Sequence, residues 1–262
     1  TLGTSTRVGL REDLSDKIYD VSKADTPMLS SIERDKASAV LTQWQTDALE
    51  SADPTNAQPQ GNDTPISAPS PTVMRSNYTQ IMTEGVSVSG TLEAVSKAGR
   101  TSDLVREMAK KVKKMKRSME ARITGNYAAV APAGTTTPGQ AAGALGFMTT
   151  NVSRGATGAN PVFTGAIPTT AATNGTLRTF DETLIKAAML AAFNSGGEPS
   201  IAIMSPALKQ KASTFAGIAA QRRETGDKTA VIIGSADVYV SDFGDVQFVA
   251  DRHCSTRDVL II

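Results

Sequence analysis

The segment Asp103–Thr124, DLVREMAKKVKKMKRSMEARIT, carries the strongest structural signal in the sequence. Its apolar residues recur at steps of three and four, which is the spacing of one face of an α-helix. They are Leu104, Met108, Val112, Met115, Met119 and Ile123. Thr101 or Ser102 is a suitable N-cap and Gly125 a suitable stop. The pattern predicts a helix about 33 Å long with one apolar stripe, lying on a surface and not buried on all sides.

The opposite face of this predicted helix is basic. Five cationic side chains fall within about 100° of each other on the helical wheel. They are Arg106, Lys110, Lys113, Lys114 and Arg117. The simplest interpretation is a solvated helix face, in which Glu107 supports Lys111 at i,i+4. The functional interpretation is a surface that meets phosphate or an acidic neighbour, without base specificity because no aromatic residue is interleaved.

Two strand-like stretches precede the helix and are separated by a proline-rich segment. Residues 39–49 alternate in the manner of a strand, with Trp44 on the face that carries the β-branched residues, and residues 73–89 predict a second strand. Residues 50–72 contain five prolines and a single large apolar residue, Ile66. Such a segment cannot bury enough surface to offset its own ordering entropy. We therefore expect a hairpin arm with a long tip, of the kind that is either disordered or functional.

Outside the arm and the long helix, the chain mixes irregular segments with helices. Residues 1 to about 36 are polar and predict an N-terminal arm with short helical pieces. Residues 127–177 are rich in Ala, Gly, Thr and Pro and predict loops with a short hairpin. A capping box of Thr179 and Glu182 predicts a helix that ends near Asn194.

The last part of the chain is mainly strand. A strand at residues 200–204 is followed by a helix that Ser205 and Pro206 begin and that runs to about Phe215. Four strand-like stretches end the sequence: TAVIIG, DVYVSD, DVQFVAD and DVLII. Because helices and strands do not alternate regularly, the predicted fold class is α+β.

Composition and net charge argue against several classes of function. The formal net charge of the 262 residues is +1, so the whole chain has no strong attraction to nucleic acid or membrane. The lone Cys254 excludes an intramolecular disulfide and a Cys-based zinc cluster, and the lone His253 excludes a His-rich metal site. Side by side on a strand they would point to opposite faces, which disfavours a catalytic pair. Residues 226–229, GDKT, lack the spacing of a phosphate-binding loop. We expect no catalytic residue, metal, cofactor or membrane span.

The order of these parts resembles the Hong Kong 97-type fold of tailed-bacteriophage major capsid proteins. That family has a polar arm, an extended two-stranded loop, a long basic spine helix, a loop-rich middle and final strands. Short stretches are similar to its N-terminal and C-terminal patterns. These stretches are residues 13–16, 25–29, 44–49, 242–246, 251–252 and 257–261.

The resemblance implies a structural protein that self-assembles into hexamers and pentamers of an icosahedral head enclosing double-stranded DNA. Its partners would be further copies of itself, a portal protein, non-specifically bound DNA and, where the shell needs them, scaffolding and cementing proteins. It would be located in the virion capsid after assembly in the host cytoplasm. An encapsulin-like compartment shell is the alternative, although the basic helix favours DNA. A monomeric nucleic-acid-binding protein and a Cys–His hydrolase remain as hypotheses of other classes.

The resemblance also implies a domain division and candidate contacts. Residues 1–38 would be the N-terminal arm, 39–89 the extended loop, 90–126 with 241–262 the peripheral domain, and 127–240 the axial domain. The candidate inter-subunit residues of the extended loop are Trp44, Asp47, Glu50, Asp53, Asp63, Ile66, Arg75 and Tyr78. Those of the arm are Thr26, Pro27, Met28 and Leu29. No lysine occurs between Lys36 and Lys97, so an isopeptide bond from the extended loop is not expected.

Overall fold

The computed structural model describes residues 25–63, 66, 68–97, 99–215 and 237–262. Two compact units divide the described chain. The first contains residues 25–26, 82–97 and 99–119, and the second contains residues 27–63, 66, 68–81, 120–215 and 237–262. Their boundary falls inside the long helix. Within the described residues, no helix combines the length and apolar character that a membrane span requires.

The first unit contains a short helix and most of the long one. Helix α2 spans Gly90–Ala94 and was not predicted; its N-cap, Ser89, accepts a hydrogen bond from the Leu92 N–H. Helix α3 spans Asp103–Thr124, which confirms the predicted bounds. The Ser102 hydroxyl accepts from the Val105 N–H at 3.3 Å, so Ser102 is the cap. The stripe is solvent-exposed along its first half, where Leu104, Met108 and Val112 are 43, 54 and 57% exposed.

The predicted hairpin arm is present in the second unit. Strands β1, Leu41–Thr46, and β2, Val73–Tyr78, pair antiparallel, with Leu41 opposite Tyr78 and Thr46 opposite Val73. The second strand was expected to continue to residue 89, but it ends at Tyr78. Beyond it the chain contacts another loop: the Gln80 side chain accepts a hydrogen bond from the Ala141 N–H at 3.2 Å.

A four-stranded sheet forms the main core of the second unit. Its strand order is β6-β7-β5-β8, with β5 Ile201–Met204, β6 Val238–Ser241, β7 Gly244–Ala250 and β8 Val259–Ile261. Strand β5 runs parallel to β7 and antiparallel to β8, and β6 pairs antiparallel with β7. Helices α4, Glu182–Asn194, and α5, Pro206–Ala212, supply Ile185, Met189 and Ala212 to this core. The mixed helix and sheet confirm the α+β class.

The second unit also contains a short hairpin, a single helical turn and a 3-10 helix at Ala144–Gly146. Strands β3, Val162–Thr164, and β4, Ile167–Thr170, form the short hairpin expected in the loop-rich middle. Helix α1, Pro27–Ser31, is a single turn near the start of the described residues. The expected boundary between the axial and peripheral domains, at 240/241, falls inside the four-stranded sheet. Strands β7 and β8, from residues 241–262, pair there with β5.

The predicted capping box at Thr179 is wrong. Helix α4 begins at Glu182 with Asp181 at the N-cap position. The Glu182 carboxylate instead accepts a hydrogen bond from the Tyr239 hydroxyl at 2.8 Å and pairs with Lys186 at 2.9 Å. Helix α5 ends at Ala212, before the expected Phe215. The TAVIIG strand, the 226–229 segment and the 13–16 motif lie outside the described residues.

Candidate assembly surfaces

The root of the hairpin arm, which we define as strands β1 and β2, is held by contacts with other parts of its own chain. The Ser76 N–H donates to the Ala166 carbonyl oxygen at 2.9 Å, which ties β2 to the β3–β4 turn. Asn77 exchanges two hydrogen bonds with the Ala142 backbone, at 2.9 and 3.3 Å. The Arg75 guanidinium lies 4.5 Å from the centre of the Phe163 ring, and the Trp44 and Phe147 rings are 5.4 Å apart. These contacts fix the direction in which the arm leaves the unit.

The tip of the arm, which we define as residues 47–72, is solvent-exposed throughout its described part. Leu49 and Ile66 are 101 and 99% exposed, although both are large and apolar. The tip carries Asp47, Glu50, Asp53 and Asp63 and has no lysine or arginine. Within it, the Asp53 carboxylate accepts from the Thr55 hydroxyl at 2.6 Å, and this bond lowers the pKa of Asp53. The tip is therefore an acidic segment with exposed apolar side chains on a rigid root.

The candidate residues of the extended loop fall into two groups. Trp44, Arg75 and Tyr78 lie in the root, where they contact or pair with residues of their own chain. The others, Asp47, Glu50, Asp53, Asp63 and Ile66, lie in the exposed tip. Contact with a neighbouring subunit stays a prediction for both groups, and the tip residues are the ones whose side chains are available for it.

The candidate arm residues at 27–29 pack on their own unit. Met28 is 4% exposed and belongs to an apolar cluster with Leu145, Ile203 and Leu260. The N–H groups of Met28 and Leu29 each donate to one oxygen of the Glu120 carboxylate, both at 2.7 Å. Glu120 thus satisfies two N–H groups in the first turn of α1, which have no partner within the helix. An inter-subunit role for Thr26, Pro27, Met28 and Leu29 stays a prediction, and it excludes the buried Met28 side chain in this form.

Glu120 was missed by the sequence analysis. Pro27 at the start of a helix signals that free N–H groups follow, but their acceptor lies 92 residues away along the chain. The Glu120 side chain is fully buried. Burial raises its pKa because it disfavours the charged carboxylate, while the Leu29 and Met28 N–H groups oppose that shift and the nearby Asp251 adds to it.

The basic face of α3 is partly neutralised within its own unit. Lys110 pairs with Glu107 at 2.6 Å, so the expected Glu107–Lys111 pair is wrong. Lys111 and Lys114 instead pair with Glu84, at 3.2 and 2.7 Å. Of the remaining candidates, Arg106 is half-buried, whereas Lys113 and Arg117 are exposed. This surface can meet phosphate through exposed cations, with a smaller excess charge than the sequence indicated.

An ion cluster joins α2 to the start of α3. The Lys97 ammonium pairs with Glu93 at 3.0 Å and with Asp103 at 2.9 Å, and Arg100 also pairs with Asp103. The Ser102 hydroxyl, Lys97 and the Asp103 N–H together lower the pKa of Glu93 to about 2. The cluster holds the segment that leads into the long helix, so its role is structural.

Comparison with known proteins decides the class of protein. The family model for the SU10 major capsid protein matches residues 1–262, the whole of this sequence. The chain belongs to the SU10 major capsid protein family. It is also 35% identical over 112 residues to the major capsid protein of Escherichia phage Phieco32. That alignment covers 43% of this chain and 32% of the relative, so this chain aligns with about a third of the relative's length.

Membership of the SU10 major capsid protein family supports a structural role in a capsid. The Cys–His hydrolase hypothesis has no support in the geometry, because burial raises the pKa of the Cys254 thiol to about 12 and keeps it protonated at neutral pH. This thiol donates a weak hydrogen bond to the Asp258 carbonyl oxygen, at 3.8 Å. In the described part of the chain, no group of three or more His, Cys, Asp or Glu residues is arranged to bind a metal ion.

Proposed function

We propose that this capsid protein builds an icosahedral head of the Hong Kong 97 type, from hexamers and pentamers in which the tip of one copy contacts the next. The observation that carries this proposal is the tip itself, exposed along its described length and mounted on a root held by hydrogen bonds and ring contacts. Leaving Leu49 and Ile66 in water forgoes the free energy of burying them, and a neighbouring subunit would recover it. The prolines reduce the entropy that docking costs.

The proposal assigns a role to each part of the chain. Residues 39–89 form the extended loop, helix α3 lies in the peripheral domain, and the four-stranded sheet with α4 and α5 forms the axial domain. Because β7 and β8 belong to that sheet, residues 241–262 join the axial domain in this proposal, in place of the peripheral domain that the sequence suggested. The N-terminal arm comprises the residues before α1, whose own turn is anchored by Glu120.

The same proposal gives the basic face of α3 contact with the packaged double-stranded DNA. Lys113 and Arg117 are exposed, and phosphate contact by lysine and arginine is independent of sequence. Further partners would be a portal protein, with scaffolding and cementing proteins where the shell needs them, and assembly would take place in the host cytoplasm. The extended loop has no lysine, so the contacts between copies would be non-covalent.

Electron microscopy of the purified full-length chain tests the proposal. We expect the wild type to form rings of five or six copies, sheets or closed shells in negative stain as its concentration rises. A variant in which residues 51–69 are replaced by a short Gly-Ser linker should stay monomeric, with an unchanged circular dichroism spectrum. A control variant keeps residues 51–69 at full length in shuffled order and separates the need for length from the need for sequence.

Two outcomes would contradict the proposal. One is a wild-type chain that stays monomeric at every concentration and salt tested. The other is a linker variant that assembles as readily as the wild type.

A further inference from the structure

The second unit contains a groove with an apolar floor. Its volume is about 380 Å³, and it lies between the loops that follow Leu145 and Thr173, helix α4 and the C-terminal strand β8. We call its apolar lining residues the floor; they include Leu145, Met148, Leu184, Ile185, Leu208 and Ile261. Grooves of this size and apolar character are typical of sites that receive a ligand or a side chain.

Three arginines, which we call the rim, also line the groove, and each donates hydrogen bonds to neutral groups of its own chain. The Arg154 guanidinium donates to the Met148 carbonyl oxygen at 2.7 Å and to the Asn160 side-chain oxygen at 2.9 Å. Arg178 donates to the carbonyl and hydroxyl oxygens of Ser153, both at 2.6 Å, and Arg257 donates to the Gly175 carbonyl oxygen at 2.6 Å. Among the described residues, none of these arginines forms an ion pair.

The groove therefore presents excess positive charge. Among the described residues that line it, Asp258 is acidic and three are arginines. Burial lowers the pKa of Arg154, although the charge of Asp258 opposes that shift. The lysines of α3 are less available to a second copy than these arginines, because Lys110 and Lys114 already have carboxylate partners in their own unit.

The tip of the hairpin arm has the complementary properties. Its Asp47, Glu50, Asp53 and Asp63 form no ion pair with any described residue, and no basic residue lies between positions 47 and 72. Its two large apolar side chains, Leu49 and Ile66, are fully exposed. An acidic segment with apolar anchors and a basic groove with an apolar floor are thus displayed by the same chain.

We propose that this arginine-rimmed groove receives the tip of a second copy of the chain. In the docked state Leu49 or Ile66 enters the apolar floor, and the tip carboxylates meet the guanidinium groups of Arg178 and Arg257 at the rim. The proposal rests on the assembly function proposed above and names the surface that the tip contacts. Because tip and groove are different surfaces, the contact is head-to-tail, and such contacts form rings when the rotation between copies closes.

A charge-exchange experiment on the full-length chain tests this pairing. The groove variant is Arg178→Glu with Arg257→Glu, and the tip variant is Asp47→Lys with Glu50→Lys. Each alone should raise the concentration needed for assembly, measured by sedimentation velocity, by about tenfold or more, because each places like charges against each other. The chain that carries all four changes has an acidic groove and two lysines, at positions 47 and 50 of the tip, that can pair with it. It should recover most of the wild-type assembly.

A matched control reverses two positive charges outside the groove. Lys211 and Arg252 are exposed and do not line it, so Lys211→Glu with Arg252→Glu makes the same change in net charge. This control should assemble within about twofold of the wild type, since exposed charges remote from an interface act weakly. Thermal unfolding of each variant in its monomeric state checks that the fold is intact. If the groove variant fails that check, Arg178→Gln with Arg257→Gln replaces it, and Leu49→Ser with Ile66→Ser tests the apolar half.

The outcomes separate this inference from the function on which it rests. A wild type that never assembles overturns the proposed function. A wild type that assembles, together with a folded groove variant that assembles equally well, overturns the groove alone. Folded groove and tip variants that both fail, with no recovery in the combined chain, also overturn it, because the groove then has another occupant.

Discussion

The turn of helix α1 and the tip of the hairpin arm had the same predicted role, yet the structure treats them differently. Met28 in α1 is 4% exposed, whereas Leu49 in the tip is 101% exposed. The difference lies in what the rest of the chain supplies. The α1 turn finds a carboxylate for its N–H groups and an apolar cluster for Met28, while the tip finds neither. A segment becomes part of the subunit where its backbone donors and apolar side chains have partners there.

Truncation of the two apolar side chains tests this comparison most directly. Met28→Ala should lower the free energy of unfolding by about 2–5 kcal/mol, because it removes a buried side chain and leaves a cavity. Leu49→Ala should change it by less than about 0.5 kcal/mol, because no contact within the chain is lost. Urea unfolding under conditions that keep the chain monomeric measures both. Equal losses for the two variants would break the distinction between an anchored turn and a free tip.

The carboxylate that anchors α1 offers a second test. Glu120→Gln puts an amide N–H where an acceptor oxygen stood, so one N–H of α1 loses its partner. We expect a loss of about 1–2 kcal/mol at neutral pH in the same urea assay. Glu107→Gln is the matched control on the same helix, since its pair with Lys110 is partly exposed and its loss should cost less than about 0.5 kcal/mol.

The pH dependence of this second test has a definite sign. The pKa of Glu120 is raised in the folded chain, so the folded state holds this proton more tightly than the unfolded state. Its contribution to stability is therefore greatest below the unfolded pKa of 4.5 and declines as the pH rises through the folded value. Glu120→Gln should lack that decline. A variant with the wild-type pH profile would show that Glu120 is not the titrating group.

Local signals in the sequence predicted most of the helices and strands. The interactions that were predicted wrongly involve partners far away along the chain. The periodicity of Asp103–Thr124 gave the bounds of α3, and the proline content of the tip gave the hairpin arm. The capping box at Thr179 failed because Glu182 bonds to Tyr239, 57 residues away, in place of the backbone. The Glu84 partners of Lys111 and Lys114 lie 27 or more residues away and are equally invisible to helical spacing.

The assembly surfaces divide along the same line. The acidic, exposed character of the tip follows from its composition, because a segment with only two large apolar residues, Leu49 and Ile66, has little apolar surface to bury. The groove could not be predicted in this way. Its arginines at positions 154, 178 and 257 come from three separate segments and meet only once the chain has folded. No local pattern of charge marks any of them in the sequence.

The ion cluster at the start of α3 gives the smallest expected effect and extends the comparison to charge. The pKa of Glu93 shifts in the opposite direction to that of Glu120, because hydrogen bonds from Ser102 and Lys97 lower it from 4.5 to about 2. Its contribution to stability is present above pH 4.5 and is lost as the pH falls towards 2. Glu93→Gln should lower the melting temperature by a few degrees at pH 7, and the two melting temperatures should converge as the pH approaches 2. Glu198→Gln, at an exposed position, is the control and should melt with the wild type throughout. A constant difference between wild type and Glu93→Gln across this range would mean that the amide loses packing, and that the Glu93 charge contributes nothing to holding the entry of the helix.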